Sequence, residues 1–237
     1  WDDHDYGVND GDRTYPHKRA SRDLLFEFLD YPEDHPDREH EGAYQSYTYG
    51  PDGQQVRIIL LDGRYFRDPL GHANRDAGQR YYQDPEGQLL GEAQWKWFED
   101  QIKNSTAEVN IVVCGIQFIS AEHPYEKWSN FPMERERLFK LLRASRPEGL
   151  VLVSGDRHIG EFSMMLVEED YPVYEMTTSG LSHTWDKEYE EENPYRIERV
   201  ISRNYGVIEI DWTNEDPQVN LQLKGPEGVT LSETEIK

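Results

Sequence analysis

Apolar residues recur at three- and four-residue spacing in three segments and run on consecutive or alternating positions in several more. From about Lys18 to Leu29, the placement of Leu24, Leu25 and Phe28 predicts a short helix with one apolar side. Gly91 to Lys103 predicts a second helix, with Ala93, Trp97 and the row Leu90, Gln94, Phe98 supplying its apolar faces, and Glu134 to Ser145 a third through Leu138, Leu141 and Leu142. Tyr44 to Tyr49 and Val56 to Asp62 read as strands joined by the turn Gly50-Pro51-Asp52-Gly53. The run Ile58 to Leu61 is apolar on successive residues, which predicts a strand covered on both faces. Val109 to Cys114, Leu150 to Ser154, Phe162 to Val167, Val173 to Thr178, Tyr205 to Trp212 and Val219 to Leu223 are further strands. The order strand, helix, strand, helix, strand and then several strands predicts an α/β fold, a mixed sheet with helices packed on it. A single domain over residues 1–237 is expected, at the upper end of what one core supports.

Between these elements lie polar stretches. Trp1 to Asp12 holds five Asp and two Gly without apolar periodicity, and reads as a loop built around polar chemistry. Pro32 to Glu41 is charged loop, Arg64 to Gln88 is long enough to be suspected of function, and the acidic run Asp186 to Glu192 is a solvated loop or one that holds a cation.

Composition narrows the function. The chain has 47 acidic against 25 basic side chains and a formal charge of −22, which excludes nucleic-acid binding through a general basic face and disfavours anionic membranes. With 36% hydrophobic and 12% aromatic residues it has enough apolar material for a core, so the charge does not signal disorder. Cys114 is the only cysteine, which excludes an intrachain disulfide and a Cys-based zinc cluster. No stretch approaches the roughly 20 apolar residues of a membrane span.

Two segments carry candidate chemistry. Val151-Leu152-Val153-Ser154 runs into Gly155-Asp156-Arg157-His158, the end of a strand where ligands gather in open α/β sheets. Asp156 and His158 stand two apart, so in an extended segment both side chains point the same way and can share a metal; a surface loop is the plainer alternative. In Trp1-Asp2-Asp3-His4-Asp5, crowded carboxylate and imidazole groups repel or compete for solvation unless a cation compensates them. An exposed acidic terminus is the alternative there.

Taken together, these segments resemble the PhoD-like (alkaline phosphatase D) branch of the calcineurin-like metallophosphoesterases. The resemblance rests on Trp1 to Gly11 and, in order, on Leu60-Leu61-Asp62-Gly63-Arg64-Tyr65-Phe66-Arg67-Asp68, Leu90 to Phe98, Gly115-Ile116-Gln117-Phe118, Glu126 to Phe131, Ser154 to His158 and Thr178 to Trp185. It implies a mixed β-sandwich flanked by helices, with metals at the carboxyl ends of the strands. It also implies that Asp3, Asp156 and His158 ligate metal and that His4 faces the phosphate as general acid or charge stabiliser. Arg157 is expected to add a planar fork of donors to the phosphoryl oxygens. The Asp at position 156, where other branches carry His, shifts the expected metal towards calcium, with iron, zinc or manganese as a second ion. Asp5 is expected to orient His4 or a ligand.

The motifs that this superfamily places upstream, which supply its first metal ligands, are absent from these residues. The expectation is therefore a fragment or a minimal version of the fold. Gln117 stands near the position of the superfamily's middle histidine. The implied activity is alkaline phosphatase or phosphodiesterase chemistry on a small phosphate ester, with a degenerate, non-catalytic calcium-binding domain as the alternative and a carboxylate-pair glycosidase as a third class. The resemblance further implies a periplasmic or secreted setting; a homo-oligomer would protect an incomplete sheet edge. Asp62 and Arg64 are expected to hold a strand-to-loop transition, His183 and Trp185 to line the pocket or serve their loop, and Tyr6 and Trp128 to pack. His17, His35, His40, His72 and His123 are expected at the surface. A phosphate ester is an anion, so a protein of charge −22 needs bound cations to reverse the field at its site.

Overall fold

The computed structural model describes residues 1–72, 80–185, 192–214 and 216–236. Its elements run α1 (Asp3–Tyr6), α2 (Lys18–Phe28), β1 (Gln45–Tyr49), β2 (Val56–Leu60), α3 (Gly91–Lys103), β3 (Val109–Val113), α4 (Pro132–Ser145) and β4 (Leu150–Ser154). Then follow β5 (Gly160–Glu168), β6 (Tyr171–Thr178), β7 (Arg196–Val200), β8 (Tyr205–Asp211), β9 (Gln218–Lys224) and β10 (Thr230–Glu235). Seven strands form one sheet in the order β1-β2-β3-β4-β6-β5-β7, and β10-β9-β8 form a second. The centre of the large sheet is parallel, β2 to β3 to β4 to β6, while β1, β5 and β7 pair antiparallel at its flanks.

Alternation along the parallel strands explains the consecutive apolar residues. Ile59, Val112 and Leu152 face α3 and α4, where Trp95, Phe98, Leu138 and Leu142 complete one core. Val109, Ile111 and Val151 face the other way, onto Val219, Leu221 and Leu223 of the second sheet. The result is the expected mixed α/β architecture, a helix layer and two sheet layers, and each fully buried Val, Leu, Ile or Phe in it contributes roughly 1.5–3 kcal/mol. Val56, Ile58, Val113 and Val153 are only partly buried, because the three-stranded sheet covers less than the face of the large one.

A buried carboxylate locks the helix layer. Glu134, in the first turn of α4, accepts the backbone N–H of Leu89 at 2.8 Å and of Leu90 at 3.1 Å, and the indole N–H of Trp95 at 2.8 Å. These bonds fix the entry to α3 and hold it against α4.

Several expectations need correction. In α2 it is Phe26 that is buried, while Leu24 and Phe28 are exposed, because the helix packs through a single side chain rather than a stripe. Ala93 of α3 is exposed and Trp95 takes its place in the core. Trp1 to Asp12 is not all loop: a single helical turn, α1, sits in it. The strands β7 and β10 carry no apolar run that marks them, since both lie at sheet edges. His123 is only 3% exposed, and His35 and His40 are half-buried and stacked on Tyr31 and Tyr44. The acidic run from Asp186 falls, apart from Glu192, outside the described residues.

Candidate active site

The carboxyl ends of β3 and β4 lie side by side, tied by the Gly155 N–H to the Gly115 carbonyl at 2.9 Å. Beyond β4 the chain does not stay extended. Asp156 (φ 62°) and His158 (φ 54°) both take left-handed backbone, which non-glycine residues adopt at a cost. Their convergence on one cavity therefore comes from a strained turn, not from strand alternation.

The N-terminal segment closes over this point. Asp3 is buried, its Oδ1 accepting the His4 N–H at 2.7 Å and its Oδ2 the Asp10 N–H at 2.9 Å. Arg67, fully buried, donates to the carbonyls of Asp10 at 2.5 Å and Gly11 at 2.6 Å, and the Tyr6 hydroxyl donates to the Asp12 carbonyl at 2.8 Å. Arg64, also buried, bridges the carboxylates of Asp2 and Glu126. Gly115 is needed for this closure: a Cβ there would lie 2.3 Å from Asp2 Oδ1. The loop after β2 is thus an anchor for the site. Asp62 organises its start by accepting the N–H groups of Arg64 and Tyr65, both at 2.9 Å, in the structural role expected of it.

A cavity of about 320 Å³ results, lined by Asp2, Asp3, His4, Asp5, Asn9, Asp10, Arg80, Tyr125, Asp156, Arg157, His158, Ser179 and Trp185. The predicted residues Asp3, His4, Asp156, Arg157 and His158 all reach it. Within it, one ligand atom each from Asp2, Asp3 and Asp156 lie within 4.8 Å of one another, and behind its wall those of Asp3, Asp10 and the buried Glu126 do the same. His158 lines the cavity outside both groups; its buried Nδ1 has no hydrogen-bond partner among the described residues. His183 meets the His158 ring edge-on at 5.0 Å. Gln117 is turned to other work, donating to Thr177 Oγ1 at 2.7 Å and Glu161 Oε1 at 3.1 Å, and does not line the cavity. Tyr6 and Trp128 are packing residues.

Electrostatics match a cation site. Burial, and then the neighbouring charges of Glu126 and Asp2, push the Asp156 carboxyl up to about 8 against the opposing pull of Arg64. Burial first, then His183 and Arg157, lowers His158, which favours the neutral imidazole that metals bind. Clustered oxygen donors of this kind fit a hard divalent cation, whose charge removes the penalty of ionising them together.

Sequence reasoning had not singled out Asp2, Asp10, Arg80, Tyr125 or Glu126 as site residues. Asp2, Asp10 and Glu126 lie inside segments that carried the resemblance, so a signal was present. Arg80 and Tyr125 carried none, for they reach the cavity through the path of long loops.

A layered α/β fold thus carries a carboxylate-rich cavity at the carboxyl ends of its parallel strands, a class of scaffold in which loops converge on one ligand site. Within that class, the PhoD-like phosphatase family model matches residues 1–230, and the chain belongs to that family. Alkaline phosphatase D of Bacillus subtilis (strain 168) is 26% identical over 136 residues, covering 53% of this chain and 22% of that protein. A solved structure titled "Structure of PhoD" superposes over 100% of this chain and 51% of its own, with a TM-score of 0.74 and 20% identity. The chain thus spans about half the length of that solved structure and less of the curated relative. No helix among the described residues is long and apolar enough to cross a membrane.

Proposed function

We propose that the chain is a metal-dependent phosphoesterase that hydrolyses phosphate esters with water, using a divalent cation, calcium first, held by Asp2, Asp3 and Asp156. The observation that carries this reading is the approach of those three carboxylates to within 4.8 Å in the cavity that also holds His4, Arg157 and His158. The family match and the name of the relative, alkaline phosphatase D, support the chemistry. All-oxygen donors suit calcium, and the His158 nitrogen suits iron, zinc or manganese as a second ion. A cation held there supplies Lewis acidity towards the phosphoryl oxygens and the attacking water.

The chain's own groups do the rest. Arg157 offers N–H donors to the phosphoryl oxygens as charge builds on them. The His4 side chain is 80% exposed, its Nε2 4.0 Å from Asp3 Oδ2. As the bond from the attacking water oxygen to phosphorus forms and the ester P–O bond breaks, His4 supplies the proton that the leaving oxygen takes, and the proton released by the water passes to solvent, from which the exposed His4 is reprotonated. Asp5 accepts the Asp2 N–H at 3.2 Å and so steadies the turn that presents His4, rather than touching the imidazole. The periplasmic or extracellular setting belongs to this reading, since calcium is plentiful there.

A non-catalytic calcium-binding domain of the same fold is the second reading, favoured by clusters built of carboxylates alone. Hydrolysis of an aryl phosphate monoester and a bis-aryl diester, at neutral and alkaline pH, separates the two. It is measured after chelation and after adding back calcium, manganese, zinc or iron. The enzyme reading expects activity that chelation removes and His4→Ala lowers by about 100-fold or more. Absence of activity with every metal overturns it in favour of the binding domain, and activity indifferent to chelation and to His4→Ala overturns the mechanism.

A further inference from the structure

The cavity is lined by rings as well as acids. Tyr125 and Trp185 stand with centroids 6.2 Å apart at 33°, and Trp185 and His158 6.4 Å apart at 26°, so three rings run as one strip. The strip is held in place: the Trp185 N–H donates to the His158 carbonyl at 3.1 Å, and the Arg157 guanidinium lies 4.4 Å from the Tyr125 ring centroid. Neither Tyr125 nor Trp185 belongs to the apolar cores. Trp185 is 41% exposed, while the other five tryptophans are buried or half-buried. A large indole kept out of the core and fixed by its backbone beside the cavity has apolar surface to gain from a ligand.

We propose that Trp185 and Tyr125 form a subsite for a planar aromatic group carried on the phosphate, an aryl ring or a nucleobase, so that aromatic phosphate esters are preferred over alkyl esters of equal charge. The proposal rests on the phosphoesterase reading above. A planar ring suits this wall for two reasons. Its tolerance of offset or tilted stacking matches rings already inclined to each other, and it adds no charge to a site crowded with carboxylates. The volume of about 320 Å³ lies at the small end of ligand pockets, room for a phosphate and one ring system rather than a long chain.

The test uses the full chain in calcium and compares non-hydrolysable pairs by titration calorimetry: phenylphosphonate against propylphosphonate for the aryl source, and adenosine 5′-phosphonate against ribose 5-phosphonate for the nucleobase. Stacking on an aromatic side chain predicts that the aromatic member of at least one pair binds about ten-fold more tightly. Which pair shows the larger ratio identifies the source. In Trp185→Leu the ratio falls towards one, and in Trp185→Phe most of it returns. Because Trp185 lies outside both cores, the leucine variant keeps the fold, which circular dichroism checks. Ratios near one in the unaltered chain, or ratios that survive Trp185→Leu, overturn the subsite. Hydrolysis of phenyl and propyl phosphate is measured alongside. If both are hydrolysed at equal kcat/KM and both phosphonates bind equally, the subsite alone fails. If neither phosphonate binds and no ester is hydrolysed, the phosphoesterase reading fails and takes the subsite with it.

Discussion

Replacing Asp156 by Asn should make the metal-free protein more stable at alkaline pH and leave it with a smaller gain from calcium. Asp156 is raised from 3.8 to about 8 by burial and by the charges of Glu126, Asp2 and Asp3. A carboxyl raised in the folded state adds its full share of stability below its unfolded value and loses it as pH rises through its folded one. Over that span the shift corresponds to roughly 6 kcal/mol at the upper limit, comparable with the whole stability of many domains. In chelator, therefore, the melting temperature of the unaltered chain should fall steeply between about pH 4 and pH 8, and Asp156→Asn should flatten that fall. Calcium should narrow the gap. It stabilises the native state by about 2.7 kcal/mol at one hundred times its dissociation constant, and Asp156→Asn removes one of the three carboxylates that hold it. Thermal melts of both proteins from pH 4 to 9, with chelator and with calcium, test this. If the variant is no more stable than the unaltered chain at pH 8 in chelator, or gains as much from calcium, Asp156 does not stand in a carboxylate cluster built for a cation.

Three other outcomes follow from the packing. Gly115→Ala puts a Cβ 2.3 Å from Asp2 Oδ1, so calcium affinity should fall at least about ten-fold, by displacement of a ligand of the kind that second-layer changes produce, with the melting temperature in chelator little changed. Glu134→Ala leaves the N–H groups of Leu89, Leu90 and Trp95 without their acceptor, and denaturant unfolding should show a loss of about 3–5 kcal/mol; Glu134→Gln, which keeps one carbonyl oxygen, should lose less than half of that. Glu175 is fully buried and raised to about 7 by burial, against hydrogen bonds from Ser154 and from the N–H groups of Phe118 and Ile119. Its share of stability should be present below pH 4.5 and be lost through pH 7, a dependence that Glu175→Gln removes from chemical-denaturation curves in the same buffers.

How much of this was legible in the chain differs between the framework and the site. The spans of β4 and α3 were readable to the residue, because consecutive apolar residues mark a strand covered twice and three- to four-residue spacing marks a helix with one wet side. Of the edge strands, β7 and β10 were not: they bury few side chains, so nothing in their composition separates them from loop, whereas β1 and β8, also at edges, carry aromatic or apolar runs. In α2 the apolar spacing pointed to the wrong face, since periodicity records where apolar residues lie around a helix and not which side finds a neighbour. His123 was misplaced for a related reason, as its polar surroundings in the sequence are not its surroundings in space.

By itself the sequence determined the layered α/β framework, through hydrophobic period, and the ordered motif segments. The resemblance carried by those segments pointed to Asp3, His4, Asp156, Arg157 and His158 as residues of one site, since motifs are local information. Only the tertiary structure decided that Asp2, Asp10 and Glu126 join the cluster, that Arg64 and Arg67 are buried struts, and that Tyr125 and Trp185 line the same cavity. These residues are far apart along the chain, and their contacts depend on strained turns such as that at Asp156 and on a glycine at 115 that lets two segments close. Such geometry is set by the packing of whole elements, which no local pattern of residues records.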